Sequence, residues 1–304
     1  MNAAASINDW LGRTRRDEDE VTLGAAQRLA ATLDRDPVLL QRGDELPESW
    51  YAILFGPVAL QSALGRDGHP RTGDFLAPLA GTRRMFGGRR TRFIAPLKIG
   101  DAVSRLSTVT GTAQKSGSTG PFTLVTITHE ISGPSGLAVT EEQDIIYRAA
   151  VESGVAAPQR SAAPPPYPPL QAGDGRDGAE GEWSAAIELD SVMVFRYSAL
   201  TFNAHRIHYD LPYAQAAGLG GVIAHGMLTM GFMAQALTDW MGPAAFVQQI
   251  DARFSRPVRP GDVVTISVEI AAREGDAWRC ILRATVGEHP VASGHAVVRE
   301  RTAG

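Results

Sequence analysis

Arg253-Phe254-Ser255-Arg256-Pro257-Val258-Arg259-Pro260-Gly261-Asp262-Val263-Val264 repeats Arg92-Phe93-Ile94-Ala95-Pro96-Leu97-Lys98-Ile99-Gly100-Asp101-Ala102-Val103. Six of the twelve positions are identical, at a constant offset of 161 residues. In each copy a proline-containing approach leads into a Gly-Asp turn. An alternating strand follows, over about 103–109 in the first copy and 263–270 in the second. A match of this quality at one offset, in segments of similar length, points to duplication of one structural unit.

Each copy sits in the same order of elements. A polar, partly helical lead comes first, then a long apolar helix, expected over 49–64 in the first segment and 221–240 in the second. Strands rich in Val, Ile and Thr follow, at 91–93, 102–110, 123–132 and 141–149, then at 252–255, 262–271, 278–286 and 289–299. One buried helix plus a run of antiparallel strands, twice, is an α+β architecture, satisfied by a long helix lying in the curl of a sheet. Between the segments the chain runs through Pro164-Pro165-Pro166-Tyr167-Pro168-Pro169 and Gly173-Asp174-Gly175. Proline fixes φ and removes donors, so this stretch reads as an extended linker. The expected organisation is an N-terminal repeat over 1–150, a linker over 151–183 and a C-terminal repeat over 184–304.

The chain of 304 residues is 44% apolar, enough for a full core. Its net charge of −4 carries no basic excess for nucleic acid. The one cysteine, Cys280, excludes an internal disulfide framework and a multi-cysteine metal site, and fits a reducing cytoplasm. The N-terminus lacks a basic region followed by an apolar one, so no secretion signal is read. The most apolar window, 222–237, contains His225, two glycines and Gln235; it reads as a buried helix and not a membrane span.

Chemistry concentrates in Tyr197-Ser198-Ala199-Leu200-Thr201-Phe202-Asn203-Ala204-His205-Arg206-Ile207-His208-Tyr209-Asp210 and in Ile223-Ala224-His225-Gly226-Met227, which opens the second apolar helix. Three of the seven histidines fall within 21 residues. Imidazole takes and returns protons near neutrality, and a helix start offers unpaired N–H groups to a developing negative charge. That pairing suggests an enzyme handling an acidic C–H beside a carbonyl. Each residue also has a plainer reading. Asn203 suits an Asx turn, His208 a loop histidine bonded to backbone, His225 a core histidine and Gly226 a helix-packing glycine. His205, His208 and His225 with Asp210 would also make a ligand set for zinc or iron. Asp210 reads as the cap of the turn into Leu211-Pro212-Tyr213, or as a partner for an imidazole.

These strings resemble the MaoC-like, R-specific enoyl-thioester hydratase/dehydratase family in its double-hotdog form. Ile207-His208-Tyr209-Asp210 is similar to the end of that family's hydratase motif, and Gly220-Gly221-Val222-Ile223-Ala224-His225-Gly226-Met227 to its helix start. The Arg-Phe-x-x-Pro-x-x-x-Gly-Asp-x-Val signature occurs in both halves. The chain departs from the common motif by Asn203 in place of an aspartate and by His205-Arg206 in place of Asn-Pro. The altered string resembles a subgroup that includes bacterial 3-methylfumaryl-CoA (mesaconyl-C4-CoA) hydratases and mitochondrial-type 3-hydroxyacyl-thioester dehydratases.

The resemblance implies a hydro-lyase that adds water reversibly across the C2=C3 bond of an enoyl-CoA, with no cofactor and no metal. It implies His208 as the proton-transfer residue, Asn203 as the group that orients the water, and the Gly226 N–H as the oxyanion donor. His205 and His225 are expected at the substrate, shaping loop or pocket. The first half, which lacks a matching dyad, is expected to form one wall of the acyl tunnel. Arg83 and Arg84, in the run Arg83–Arg90, are expected to grip coenzyme A phosphates or the free carboxylate of a short branched dicarboxylic acyl group, though clustered arginines are often simply solvated. Expected partners are an acyl-CoA thioester and a second copy of the chain. A thioesterase and a non-catalytic acyl-thioester-binding subunit are the competing readings.

Overall fold

The computed structural model describes residues 7–79, 81–117, 120–149, 182–242 and 244–300, with Arg83 described in its backbone alone. Ten strands form one antiparallel sheet. They are β1 (Thr14–Glu20), β2 (Thr82–Phe93), β3 (Ala102–Gly117), β4 (Gly120–Gly133), β5 (Gly136–Ala149), β6 (Glu182–Leu189), β7 (Ala245–Phe254), β8 (Asp262–Glu274), β9 (Ala277–Val286) and β10 (His289–Glu300). Their spatial order is β1-β3-β4-β5-β2-β7-β10-β9-β8-β6. The second five repeat the pattern of the first five in mirror order, so each repeat contributes one curled half and the halves join at β2 and β7. The joint pairs Gly88 with Arg253 and Arg92 with Gln249. A Cβ on Gly88 would lie 2.7 Å from the Ala252 carbonyl oxygen, so the two strands meet this closely only because the position is glycine.

The helices are α1 (Leu23–Thr32), α2 (Ser191–Leu200), α3 (Leu211–Ala216) and α4 (Gly226–Met241). α4 is apolar over most of its surface, the composition of a helix largely surrounded by core, and Asp239 near its end pairs with Arg35. It lies against β7, β8 and β9, where Leu228, Met230, Met233 and Leu237 meet the fully buried Ile250, Ile266 and Leu282. It starts five residues later than the apolar run. Ala224 N–H bonds to the Val258 carbonyl at 2.7 Å and holds the approach extended. No described helix is long and apolar enough to cross a membrane.

The long helix expected over 49–64 does not form. A 3-10 turn spans Glu48–Ile53, the chain then runs extended, and a second 3-10 turn covers Gln61–Ala63. The cause is local. Pro57 has no N–H and disfavours helix at Gly56, and Phe55 sits at φ 59°. The first repeat therefore curls its sheet around a short turn where the second encloses sixteen residues of helix.

The strands run longer than the alternating patterns suggest. The arginine-rich stretch before 91 is strand, not loop, and two strands, β1 and β6, were not anticipated. Of the stretch expected as a linker, residues 151–181 lie outside the described residues, and Glu182 and Trp183 begin β6.

Candidate active site

The loop from α2 to α3 is built by its own short polar side chains. The Asn203 N–H bonds the Ser198 carbonyl at 2.9 Å, and its Oδ1 accepts the His205 N–H at 3.0 Å. This is an Asx turn, the plainer of the two sequence readings of Asn203, and it leaves the amide NH2 available. Phe202 takes φ 50° to make the corner. A 3-10 turn over Arg206–His208 follows. Asp210 caps α3 by accepting the Tyr213 N–H at 3.0 Å and pairs with Arg206 at 2.6 Å. Its carboxylate is therefore engaged by cap and guanidinium, not by an imidazole.

The His208 ring is oriented by one bond: Nδ1 lies 2.8 Å from the Ile223 carbonyl oxygen. A carbonyl only accepts, so Nδ1 carries the proton and Nε2 presents a lone pair. Burial lowers the His208 pKa to about 4, outweighing the bond to Ile223, which works the other way, so the ring is neutral at pH 7. The His225 ring stacks on it at 3.7 Å between centroids and 23° between planes. His225 Nε2 is 2.9 Å from Ser198 Oγ, and its pKa is held well below the ordinary value by burial and by the neighbouring imidazoles. His205 stands edge-on to His208 at 5.7 Å, with burial lowering its pKa to about 2.

Gly226 is the first residue of α4, so the helix offers no carbonyl to its N–H. No side chain caps this end. A Cβ here would meet Phe86 at 3.1 Å and Phe254 at 3.3 Å, a pair of rings 5.2 Å apart. Glycine thus lets the two rings pack close at the same position where its amide would serve chemistry.

His208, Asn203, His205, His225 and Gly226 all line one cavity of about 1090 Å³ that spans both repeats. That is slightly above the usual range of about 300–1,000 Å³ for small-molecule sites. Arg84 lines it too and pairs with Asp67 at 3.2 Å. Arg83 pairs in register with Arg148 on β5, and its side chain lies outside the described residues.

Sequence reading passed over part of the site. The excursion 65–73 from the first repeat docks on the His208 loop. The Arg206 N–H bonds the Asp67 carbonyl at 2.9 Å, and a Cβ on Gly68 would lie 1.9 Å from the Ala204 carbonyl oxygen. His69 bonds Asp67 at 3.2 Å and stacks against His205 at 4.2 Å. Burial raises the Asp67 pKa, but the bonds and charge of His69, with Arg84, outweigh it and hold the carboxyl below its usual range. Among the described residues Asp67, His69 and His205 form a set with metal-ligand spacing, in place of the set with Asp210 read from sequence. The Arg84 guanidinium already supplies the positive charge Asp67 faces. No periodicity announces this loop, and only the resemblance of the second repeat to a catalytic string would prompt a search opposite it.

Residues 50–260 match the family described as Htd2, hydroxyacyl-thioester dehydratase type 2. The chain belongs to this family. Among its relatives, the mesaconyl-C(4)-CoA hydratase of Chloroflexus aurantiacus is 41% identical over 220 residues, covering 72% of this chain and 74% of that one. The 3-hydroxybutyryl-CoA dehydratase of Methylorubrum extorquens is 33% identical over 115 residues, covering 37% and 73%. In fold, this member of the type 2 dehydratases matches a MaoC-like dehydratase with a TM-score of 0.72 at 17% identity, over 98% of this chain and 100% of the other. It also matches a Mycobacterium tuberculosis protein described as a double hotdog, with a TM-score of 0.59 at 16% identity over 95% and 96%. The type 2 dehydratase chain is a hydro-lyase of acyl-CoA thioesters with the MaoC-like double-hotdog fold.

Proposed function

We propose that this hydro-lyase hydrates a short branched dicarboxylic enoyl-CoA, such as mesaconyl-C4-CoA, with His208 as its acid–base group. The observation that carries the reading is the bond from His208 Nδ1 to the Ile223 carbonyl, which leaves Nε2 unprotonated in a residue lining the cavity shared with Gly226. A water is held by the Asn203 amide. His208 Nε2 takes one of its protons as the oxygen adds to C3, and the C2=C3 electrons move onto the thioester oxygen. The Gly226 N–H at the head of α4 receives that charge. The imidazolium then returns its proton to C2, so one group serves as base and acid and no second carboxylate is needed. This accounts for an amide at position 203.

On this reading the C-terminal repeat carries the chemistry and the N-terminal repeat is a non-catalytic wall, joined through the 151–183 linker. His205 and His225 shape the pocket beside His208, and Arg84 pairs with Asp67 on the first-repeat loop that docks there. The protein works in the cytoplasm as a homodimer, for which exposed Val58, Leu60, Phe195 and Phe202 offer apolar surface. The test is direct: the purified chain is mixed with mesaconyl-C4-CoA, and the enoyl absorbance and free thiol are followed together. Loss of the enoyl signal without thiol release supports the reading. Thiol release assigns a thioesterase, and no change in either signal rejects both.

A further inference from the structure

The two repeats carry different chemistry on equivalent inner positions. At the offset of 161, Arg89 corresponds to Ile250, Thr91 to Ala252, Arg105 to Ile266 and Ser107 to Val268. Strand register extends the comparison. His129 pairs with Ser107 and Glu141, as Leu282 pairs with Val268 and Gly294. In the second repeat Ile250, Ile266, Val268 and Leu282 are fully buried where α4 packs on the sheet. Among the described residues the first repeat has no such helix, and at these positions Arg89, Arg105, His129 and Glu141 line the cavity.

Arg89 Nη1 bonds Glu141 Oε2 at 2.8 Å, and Tyr51 bonds the same carboxylate oxygen. Glu141 is 3% exposed, while Arg89 keeps 17% of its side chain accessible in a residue that lines the cavity. Arg105 lies beside this cluster, also 17% accessible, with its Nη2 on Asp17 at 2.7 Å. Asp17 is shared with Arg15. Among the described residues three arginines therefore face two carboxylates, an excess of one positive charge. The Nε atoms of both Arg89 and Arg105 have no hydrogen-bond partner among the described residues. Buried guanidinium donors are seldom left unpaired, and a planar fork suits a carboxylate. Burial lowers the Arg105 pKa, outweighing the bond and charge of Asp17; burial acts the same way on Arg89, but there the Glu141 charge outweighs it and the pKa is raised.

The cluster is continuous with the histidines. Arg89 sits 5.4 Å from the Phe86 ring, which packs on Gly226. Tyr197, which feels the Arg89 charge, packs on His225 at 5.0 Å. Among the described residues seven arginines and two carboxylates line the cavity.

We propose that Arg89 and Arg105, on the inner face of the first repeat, form a carboxylate subsite that binds the distal acid group of a dicarboxylic acyl-CoA. The inference rests on the hydration reading for the identity of the thioester and assigns the selecting residues for its far end. It moves that role from Arg83 and Arg84 to this largely buried pair on the inner face. Glu141 keeps the pair tolerable when no ligand is bound, because two guanidiniums without it would repel and lose hydration.

The experiment has two arms. In the first, kcat/KM is measured for mesaconyl-C4-CoA and crotonyl-CoA with wild type, Arg105→Met, and the double variant Arg89→Met/Glu141→Gln, which avoids an unpaired Glu141. The ratio of the two values is expected to fall about 10- to 100-fold in each variant, the usual worth of a charge-assisted hydrogen bond. An unchanged ratio overturns the subsite. The second arm needs neither variant nor turnover: calorimetry compares succinyl-CoA with butyryl-CoA on the wild-type chain. Binding of succinyl-CoA at least about 10-fold tighter supports the subsite, and equal affinities overturn it. If the wild type hydrates neither enoyl ester, the hydration reading fails while the second arm still decides the subsite.

Discussion

Lowering the pH from about 7.5 to about 5 is predicted to weaken the fold through its buried imidazoles. Burial holds His129 and His208 at about 4 against an ordinary value of 6.5. A histidine with a depressed folded pKa keeps full stability above 6.5 and loses it as the pH falls from 6.5 to the folded value, because only the unfolded chain takes up the proton. At about pH 5 each of the two costs about 2 kcal/mol, and the pair about 4 kcal/mol, of a typical total of about 5–15 kcal/mol. His205 and His225 act in the same direction. The lowered carboxylates Asp67 and Glu141 contribute above their unfolded values of 3.8 and 4.5, so most of their share survives at about pH 5 and is lost below it. Urea titrations at the two pH values measure the loss. His129→Leu, which installs the residue found at the equivalent register position, should remove about 2 kcal/mol of the difference whatever it does to stability at neutral pH. A pH difference as large in that variant as in wild type would refute the reasoning.

Three further outcomes are expected. Gly68→Ala should lower stability by about 2–3 kcal/mol and hydration by about 10-fold or more, since φ is +91° and the methyl would strike the Ala204 carbonyl; a wild-type melting curve would contradict this. Gly226→Ala should reduce kcat by about 10²-fold as Phe86 and Phe254 push the α4 amide aside, with a stability loss of about 1 kcal/mol; kcat unchanged in steady-state assays would count against the amide. The rapid-mixing pH profile of kcat/KM should stay level through 6.5 and fall only towards about 4, where His208 takes a proton in the folded protein. A limb at 6.5 would mean a solvated base.

The duplication and the architecture were legible because the Gly-Asp turns at 100–101 and 261–262 punctuate alternating strands, and both signals are local. The second helix was legible because its apolar run holds no proline and no charged residue before Asp239. The first was misread because apolar residues around 50–64 mimic a helix, while Gly56-Pro57 limits it to a six-residue 3-10 segment. The His208 loop was found from residue types alone, but its partners Asp67 and His69 lie some 140 residues earlier in a segment without periodicity. Arg89 lay inside the arginine run singled out from sequence, but the bulge between Phe86 and Gly88 shifts the face on which that strand's arginines fall, so alternation counted through it puts Arg89 on the wrong side. Arg105 stands on an inward position of β3, where a lone arginine carries no motif.

The central claim is that the unprotonated Nε2 of His208 moves the protons of a hydration reaction. The most direct measurement is kcat/KM for mesaconyl-C4-CoA with His208→Ala beside wild type. The account predicts a fall of at least about 100-fold. A variant within about threefold of wild type would contradict it, because loss of an acid–base group costs far more than that.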